Sequence, residues 1–175
     1  MTSCRAVVVG IGSEFRSDDA VGLEVARRLD LLMLTGVRVA ISDGEPLQLI
    51  DAWDGVSLAV VVDAVTGGAS PPGTLHQLRL PDGEQAWLAA GKEAHLASWH
   101  GSGLRTAVEL GLALGRLPGL LIVHGVEASD VSLGRGLSPE VAGAADRLAD
   151  LILAEVLEQP AGSAPQPPGM PPPRH

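Results

Sequence analysis

The sequence predicts an α/β protein in which a mainly parallel β-sheet lies between two helical layers, a three-layer sandwich. Short runs of β-branched residues alternate along the chain with segments whose apolar residues recur at helical spacing. Strands that are joined by helices run parallel, and such a sheet is covered on both faces. The chain has 175 residues, which is enough for one domain and short for two.

The first half of the chain is predicted to hold three strands and two helices. The strands are expected at 5–9, 37–41 and 57–62, and the helices from about residue 18 onward and at 46–53. The run SLAVVV at 57–62 is the most apolar and is therefore expected at the centre of the sheet. The first helix is predicted because Val21, Val25 and Leu29 recur at fourfold spacing.

The second half is predicted to hold two strands and two helices. The strands are expected at 74–80 and 120–126, and the helices from about residue 100 and from residue 139. No helix pattern separates the strand at 74–80 from the strand before it, so it is predicted to be an added antiparallel edge strand. The helix from about residue 100 is expected to turn Leu104, Ala107, Val108 and Leu114 to one side. The last helix begins well, with Ser138 as N-cap and Pro139 at its first position. Its apolar stripe is formed by Val141, Ala145, Leu148, Ile152 and Val156.

The domain is predicted to span 1–159, because the composition changes abruptly at Pro160. Residues 160–175 hold seven of the thirteen prolines and almost no apolar side chains. Such a segment cannot bury enough surface to offset the cost of ordering, so we predict a disordered tail. A proline-rich ligand for a partner protein is the alternative.

Charge and composition exclude several classes of function. The net charge of -9 repels nucleic-acid phosphates and anionic lipid, and aromatic residues at 2% are too few for base stacking. The single cysteine, Cys4, excludes an internal disulfide and a cysteine-based zinc site, and we expect it to be an inert, small apolar residue. There is no apolar run of membrane-spanning length and no secretory signal pattern. We therefore expect a cytoplasmic protein.

Acidic residues follow each principal strand of the predicted sheet, at the edge where parallel α/β sheets form their sites. They are Glu14, Asp18, Asp19, Asp43, Asp63, Glu127 and Asp130. Most can be explained as helix caps or loop residues. Asp63 differs because it directly follows the buried run VVV, where a carboxylate is costly unless it is paired or binds a cation. Of the adjacent Asp18 and Asp19, one can cap the helix while the other faces the strand edge, or both can complement the helix dipole.

Among the histidines, His100 is placed best for chemistry. It precedes a helix and is followed by Gly-Ser-Gly, which leaves room for a ligand, and a neutral imidazole binds transition metals. His124 lies inside a strand and is interpreted as a core or edge residue, and His76 and His95 are assigned to irregular regions. The turn Gly-Ile-Gly at 10–12 starts like a dinucleotide fingerprint, but the third glycine is replaced by Phe15. P-loop, HExxH and GxSxG motifs are absent.

Taken together, five segments of the sequence resemble the hydrogenase maturation proteases. They are VVVGIGSEFRSDDAVGLEVARRL at 7–29, SDGEP at 42–46, VVVDAV at 60–65, SWHGSGLRTAVEL at 98–110 and GVEASDVSLGRGLSPEV at 125–141, in the order found in that family. The family removes a C-terminal extension from the large subunit of nickel–iron hydrogenases. The resemblance implies that Asp19, Asp63 and His100 form the catalytic and metal site, and we assign Asp43 as a supporting acid of the cleft.

The resemblance also implies that the metal is nickel, carried by the large-subunit precursor, so that metal loading licenses cleavage. Whether the metal activates a water or is only recognised stays open. Two departures from the family pattern stand out: Ser13 replaces an asparagine, and Glu45 and Pro46 replace Gly-Thr after the second strand. They leave open a non-catalytic chaperone for the nickel-loaded precursor. A more distant alternative is a small-molecule hydrolase or phosphorylase on a similar sheet.

Overall fold

The computed structural model describes residues 4–81 and 103–158. The strands are β1 (Ala6–Ile11), β2 (Val37–Ser42), β3 (Leu58–Val65), β4 (Leu75–Pro81) and β5 (Leu120–Glu127). The helices are α1 (Val21–Asp30), α2 (Pro46–Trp53), α3 (Leu104–Leu114) and α4 (Pro139–Glu158), and a 3-10 turn, Ser17–Ala20, precedes α1. The strands form one sheet in the order β2-β1-β3-β5-β4, which confirms the predicted fold class.

The sheet is parallel except at one edge. β1 runs parallel to β2 and β3, and β3 runs parallel to β5, whereas β4 pairs with β5 in the antiparallel direction. The predicted antiparallel edge strand is thus confirmed. β3 lies at the centre and is buried along almost its whole length, as its run of valines predicts.

Two apolar cores lie on opposite faces of the sheet. Helices α2 and α3 cover one face, and α1 and α4 cover the other. The predicted stripe of α4 is buried throughout. The prediction for α3 was wrong at its last residue, because Leu114 is 54% exposed. Gly115 ends the helix in the left-handed conformation at φ 64, and Leu117 then packs against the core in its place.

Two glycines allow the first turn of α1 to lie directly on the sheet. A Cβ atom at Gly10 would be 2.1 Å from the carbonyl oxygen of Gly22, and a Cβ atom at Gly22 would be 2.3 Å from that of Ile11 and 2.5 Å from that of Val62. Any side chain at either position would therefore push the helix away. The close approach places the 3-10 turn before α1 at the carboxyl end of β1 and β3.

The predicted domain boundary at residue 159 and the tail at 160–175 lie outside the described residues. Among the helices of the described ranges, none has the length and apolar character needed to cross a bilayer. Cys4 packs against the core beneath α2 and α3.

Candidate active site

The candidate site lies at the edge of the sheet where the parallel strands end. Ile11 of β1 is in register with Ser42 of β2, and Asp63 of β3 is in register with Gly125 of β5. The loops that follow these strands therefore leave the sheet at a common edge, the usual place for a site in an open parallel sheet. The order and direction of the strands therefore bring the acidic residues that follow them to this edge.

Asp63 lies within β3 rather than after it, since the strand continues to Val65. It is 4% exposed, which agrees with the burial expected from the sequence. Val61 and Val65, which share its side of the strand, belong to the apolar core under α2 and α3, so Asp63 faces that layer. A carboxylate at this depth is stable only with donors or a cation beside it.

Asp19 lies on the 3-10 turn Ser17–Ala20, which contacts β3. It is half-buried. The turn that follows β1 passes directly against its backbone, because a Cβ atom at Gly12 would lie 1.8 Å from the Asp19 carbonyl oxygen. Asp19 therefore lies close to the end of β1 and beside the strand that carries Asp63.

Asp18, its neighbour, is completely buried and has a structural role. Its carboxylate accepts hydrogen bonds from the backbone N–H groups of Ser129, Asp130 and Ser138 at 2.9, 3.0 and 2.6 Å, and from the Ser138 hydroxyl at 3.0 Å. The Asp18 N–H in turn donates to the carbonyl of Asp130. Asp18 thus fastens the 3-10 turn, which also carries Asp19, to the loop that leads into α4.

Further contacts join the same two loops. The N–H of Ser17 donates to the carbonyl of Gly134, and the N–H of Gly134 donates to that of Phe15. Ser17 adopts a left-handed conformation at φ 48, which is uncommon for a residue with a side chain and is maintained by these bonds. Asp130 accepts from the backbone N–H of Ser132, and this hydrogen bond lowers the pKa of the Asp130 carboxyl.

His100 and Asp43 are the other two residues that were predicted for the site. His100 lies outside the described residues, as does His95. Asp43 is exposed and accepts a hydrogen bond from the N–H of Glu45 at 3.2 Å. Within residues 4–81 and 103–158, no three His, Cys, Asp or Glu side chains are arranged to hold a metal ion.

The two departures from the family pattern have local structural roles. The Ser13 hydroxyl accepts a hydrogen bond from the N–H of Phe15 at 3.4 Å. Glu45 is the N-cap of α2, where its carboxylate accepts from the N–H of Gln48 at 2.8 Å, and Pro46 is the first helical residue. The pair Glu45-Pro46 therefore begins α2, which covers the same face of the sheet as the one on which Asp63 lies.

The assignment of His76 to an irregular region was wrong, because His76 lies in β4, within the strand predicted at 74–80. Its Nε2 atom is 3.0 Å from Oε2 of Glu127, which is 3% exposed at the end of β5. The sequence indicates Glu127 only as one of the acids after a strand, and 51 residues separate the two. His124 is buried as expected, with Nε2 2.9 Å from Glu155 of α4.

Comparison with known proteins gives a consistent result. A sequence model described as hydrogenase maturation protease matches residues 4–155. The fold is similar to that of the hydrogenase maturating endopeptidase HybD from Escherichia coli, with a TM-score of 0.66 and 22% identity over 88% of this chain and 93% of that one. It is also similar to the [NiFe] hydrogenase maturation protease HybD from Thermococcus kodakarensis, with a TM-score of 0.64 and 25% identity over 89% and 99%. No curated protein sequence matches. Since the family model covers most of the chain, the protein belongs to the hydrogenase maturation protease family.

Proposed function

We propose that this protein is an endopeptidase that removes the C-terminal extension of a nickel-loaded hydrogenase large-subunit precursor. The observation that carries the proposal is the buried carboxylate of Asp63 at the centre of the carboxyl edge, beside the turn that bears Asp19. Family membership supports the class of reaction, a processing endopeptidase. The identity of the substrate, a precursor that carries nickel and a C-terminal extension, is our proposal.

The nickel ion in this proposal belongs to the substrate. We propose that Asp19, Asp63 and His100 grip the ion that the precursor already carries. Two carboxylates and one imidazole, without a thiolate, suit a divalent transition metal and leave coordination positions for ligands of the precursor. Gly103, three residues after His100 in the sequence, lies against Gly44 in the loop after β2, where a Cβ atom would be 2.0 Å from the Gly44 carbonyl oxygen.

In this mechanism the chain's own residues bind and orient the precursor. Asp63 supplies negative charge at the centre of the edge, and Asp19 is kept in place by the bonds of Asp18. Asp43 supports the opening of the cleft from the loop after β2. Holding the extension in one geometry lowers the barrier to cleavage, because little orientational entropy remains to be lost in the transition state. We expect this reaction to take place in the cytoplasm.

The test is a cleavage assay on purified precursor with and without nickel, with release of the extension followed by mass spectrometry. The wild-type protein should contain little metal after purification, should cut the loaded precursor and should ignore the nickel-free one. Asp63→Asn keeps the shape of the side chain but removes its charge, so it should abolish cleavage. Asp150→Asn is the matched control, since Asp150 is an exposed acid of α4.

The outcomes separate the alternatives. A stable complex with an uncut precursor would indicate the non-catalytic chaperone. Tightly bound zinc in the purified protein, with equal cutting of both precursor forms, would refute recognition of nickel but retain the protease. Full cleavage by Asp63→Asn would remove Asp63 from the site.

A further inference from the structure

The loops after β1 and β5 form an exposed surface that the proposed function does not yet use. Phe15, the only phenylalanine of the chain, is 52% exposed, and Leu133 is 87% exposed. The loops are bonded through Gly134, whose N–H donates to the carbonyl of Phe15 at 3.0 Å and whose carbonyl accepts from Ser17 at 3.1 Å. The Arg135 guanidinium lies over the Phe15 ring, 4.8 Å from its centroid. Aromatic and arginine side chains are enriched where proteins bind one another.

A cavity of about 370 Å³ adjoins this surface, between α1 and the loop that leads into α4. Arg135 and Leu137 line it from the loop, and Arg27 lines it from α1. Ala20, the residue after Asp19, is also part of its wall. An extended chain spans about 3.3 Å per residue. A peptide bound at Asp19 therefore reaches the cavity within a few residues.

The ion pairs around the cavity leave one positive charge over. Arg27 pairs with Glu14 at 3.5 Å, and Arg28 pairs with one carboxylate of α1 and one of α4. Among the residues at 4–81 and 103–158, Arg135 forms no ion pair. In a chain with a net charge of -9, a guanidinium without a counter-charge is a local site of attraction for an anionic group.

We propose that Arg135, stacked on Phe15, docks the precursor by binding an acidic side chain that lies close to the cleavage site. This inference rests on the proposed function. A guanidinium is a planar fork of N–H donors that can bind both oxygens of a carboxylate. The Phe15 ring keeps this fork in one orientation, so less side-chain entropy is lost when the precursor binds. Apolar residues of the precursor then cover Phe15 and Leu133.

The surroundings of Arg135 favour this occupant over a free anion or a second copy of the chain. Glu14 and Glu24 also line the cavity, and they repel a doubly charged phosphate more than a singly charged carboxylate. A small anion would leave Phe15 and Leu133 in water, whereas a peptide removes their apolar surface from it. Two copies that each carry a net charge of -9 repel one another.

The test measures kcat and KM of Arg135→Ala and Arg135→Glu on nickel-loaded precursor. Loss of a hydrogen-bonded charge pair should raise KM by about 10-fold in Arg135→Ala, and Arg135→Glu should raise it further through repulsion. The kcat and the Tm should not change, because Arg135 is exposed and contacts no reacting atom. Arg38→Ala and Arg38→Glu are the matched controls, since Arg38 is exposed at the start of β2, and they should leave KM unchanged.

Two further measurements identify the partner of Arg135. Acidic residues of the precursor near the cleavage site are replaced by lysine one at a time. One replacement should raise KM for the wild-type protein and restore a low KM for Arg135→Glu, because the two charges are exchanged. Phe15→Leu keeps an apolar side chain without a ring, so it should raise KM by about 3-fold. It should add little to Arg135→Ala, because the ring acts through the guanidinium.

A wild-type KM in Arg135→Glu would overturn the inference while the proposed function stands, and so would failure of every lysine replacement to restore the KM. Dimers of the wild-type protein that dissociate in Arg135→Glu would assign the surface to a second copy. Binding of inorganic phosphate that Arg135→Glu loses, with KM unchanged, would assign the cavity to a free anion. Either result overturns the inference. Failure of the wild-type protein to cut the loaded precursor would overturn the proposed function and the inference together.

Discussion

Asp18→Asn should destabilise the protein strongly although it changes one atom. The carboxylate is fully buried and accepts four hydrogen bonds, three at Oδ2 and one at Oδ1. An asparagine that places its oxygen at the Oδ2 position keeps three of them. Its NH2 group then points at the N–H of Ser138, which lies 2.6 Å from Oδ1 in the native protein. Two donors face each other there.

The magnitude follows from these contacts. A hydrogen bond to a charged group contributes about 1.5–3 kcal/mol, so loss of the bond from Ser138 accounts for about 2 kcal/mol. The other three bonds lose their charge assistance, which adds about 1 kcal/mol in total. The expected loss is about 3 kcal/mol, or a decrease in Tm of about 6–12 °C for a domain of this size. Ser138→Ala removes only the hydroxyl contact and should cost about 1 kcal/mol.

Urea denaturation of Asp18→Asn, Ser138→Ala and the double variant measures these values. The two single changes should not be additive, because they share one carboxylate. Cleavage should also decrease in Asp18→Asn at temperatures well below its Tm, because the turn that carries Asp19 is no longer fastened. A change in the free energy of unfolding below about 1 kcal/mol would show that the four contacts do not hold the loops together, and the argument for Asp18 would be refuted.

Four other predictions follow from the structure. Gly22→Ala should lower the free energy of unfolding by about 3 kcal/mol in spite of the better helix propensity of alanine, because the methyl group would lie 2.3 Å from a backbone oxygen of β1; thermal denaturation measures this. His100→Ala should abolish cleavage of the loaded precursor while Tm stays unchanged. Deletion of 160–175 should leave Tm unchanged, and a large decrease would show that the tail packs on the domain. The Asp130 carboxyl should titrate below the usual aspartate range in an NMR titration, because the Ser132 N–H donates a hydrogen bond to it. This hydrogen bond stabilises the folded protein at any pH above the pKa that Asp130 has in the unfolded chain. The stabilisation is lost as the pH falls through the lower pKa of the folded protein.

Local pattern was sufficient to predict most of the fold. The valine run of β3 and the stripe of α4 are long and regular, so burial of one face determines their structure. The edge strand β4 was found because no helix preceded it. The burial of Asp63 could also be predicted, since it directly follows a run of apolar β-formers.

Contacts between distant residues could not be predicted in this way. Asp18 and Asp19 are adjacent residues of the same type, so the local sequence does not separate their roles. The loop at 128–138, more than a hundred residues later, separates them because it donates hydrogen bonds to the Asp18 carboxylate. The partner of His76 is Glu127, and nothing in the residues around His76 indicates that a buried carboxylate lies beside it. The end of α3 was missed for a local reason, because Gly115 reverses the chain one residue after Leu114.

Two buried carboxylates, Asp18 and Glu127, explain how a rigid edge is built from loops. Asp18 fastens the loop after β1 to the loop after β5, and Glu127 fastens the loop after β3 to the start of β4. The Asp18 carboxylate satisfies three backbone N–H groups, and the Glu127 carboxylate satisfies that of Gly68. Each loop therefore loses conformational freedom without a regular element of its own. Asp19 and Asp63 lie beside these two fastened pairs, one on the turn of Asp18 and one on the strand next to Glu127. The acids that anchor loops, Asp18 and Glu127, therefore lie next to the acids proposed to act on the precursor. This division into anchoring and acting residues requires many acids at the strand ends, and the sequence has them.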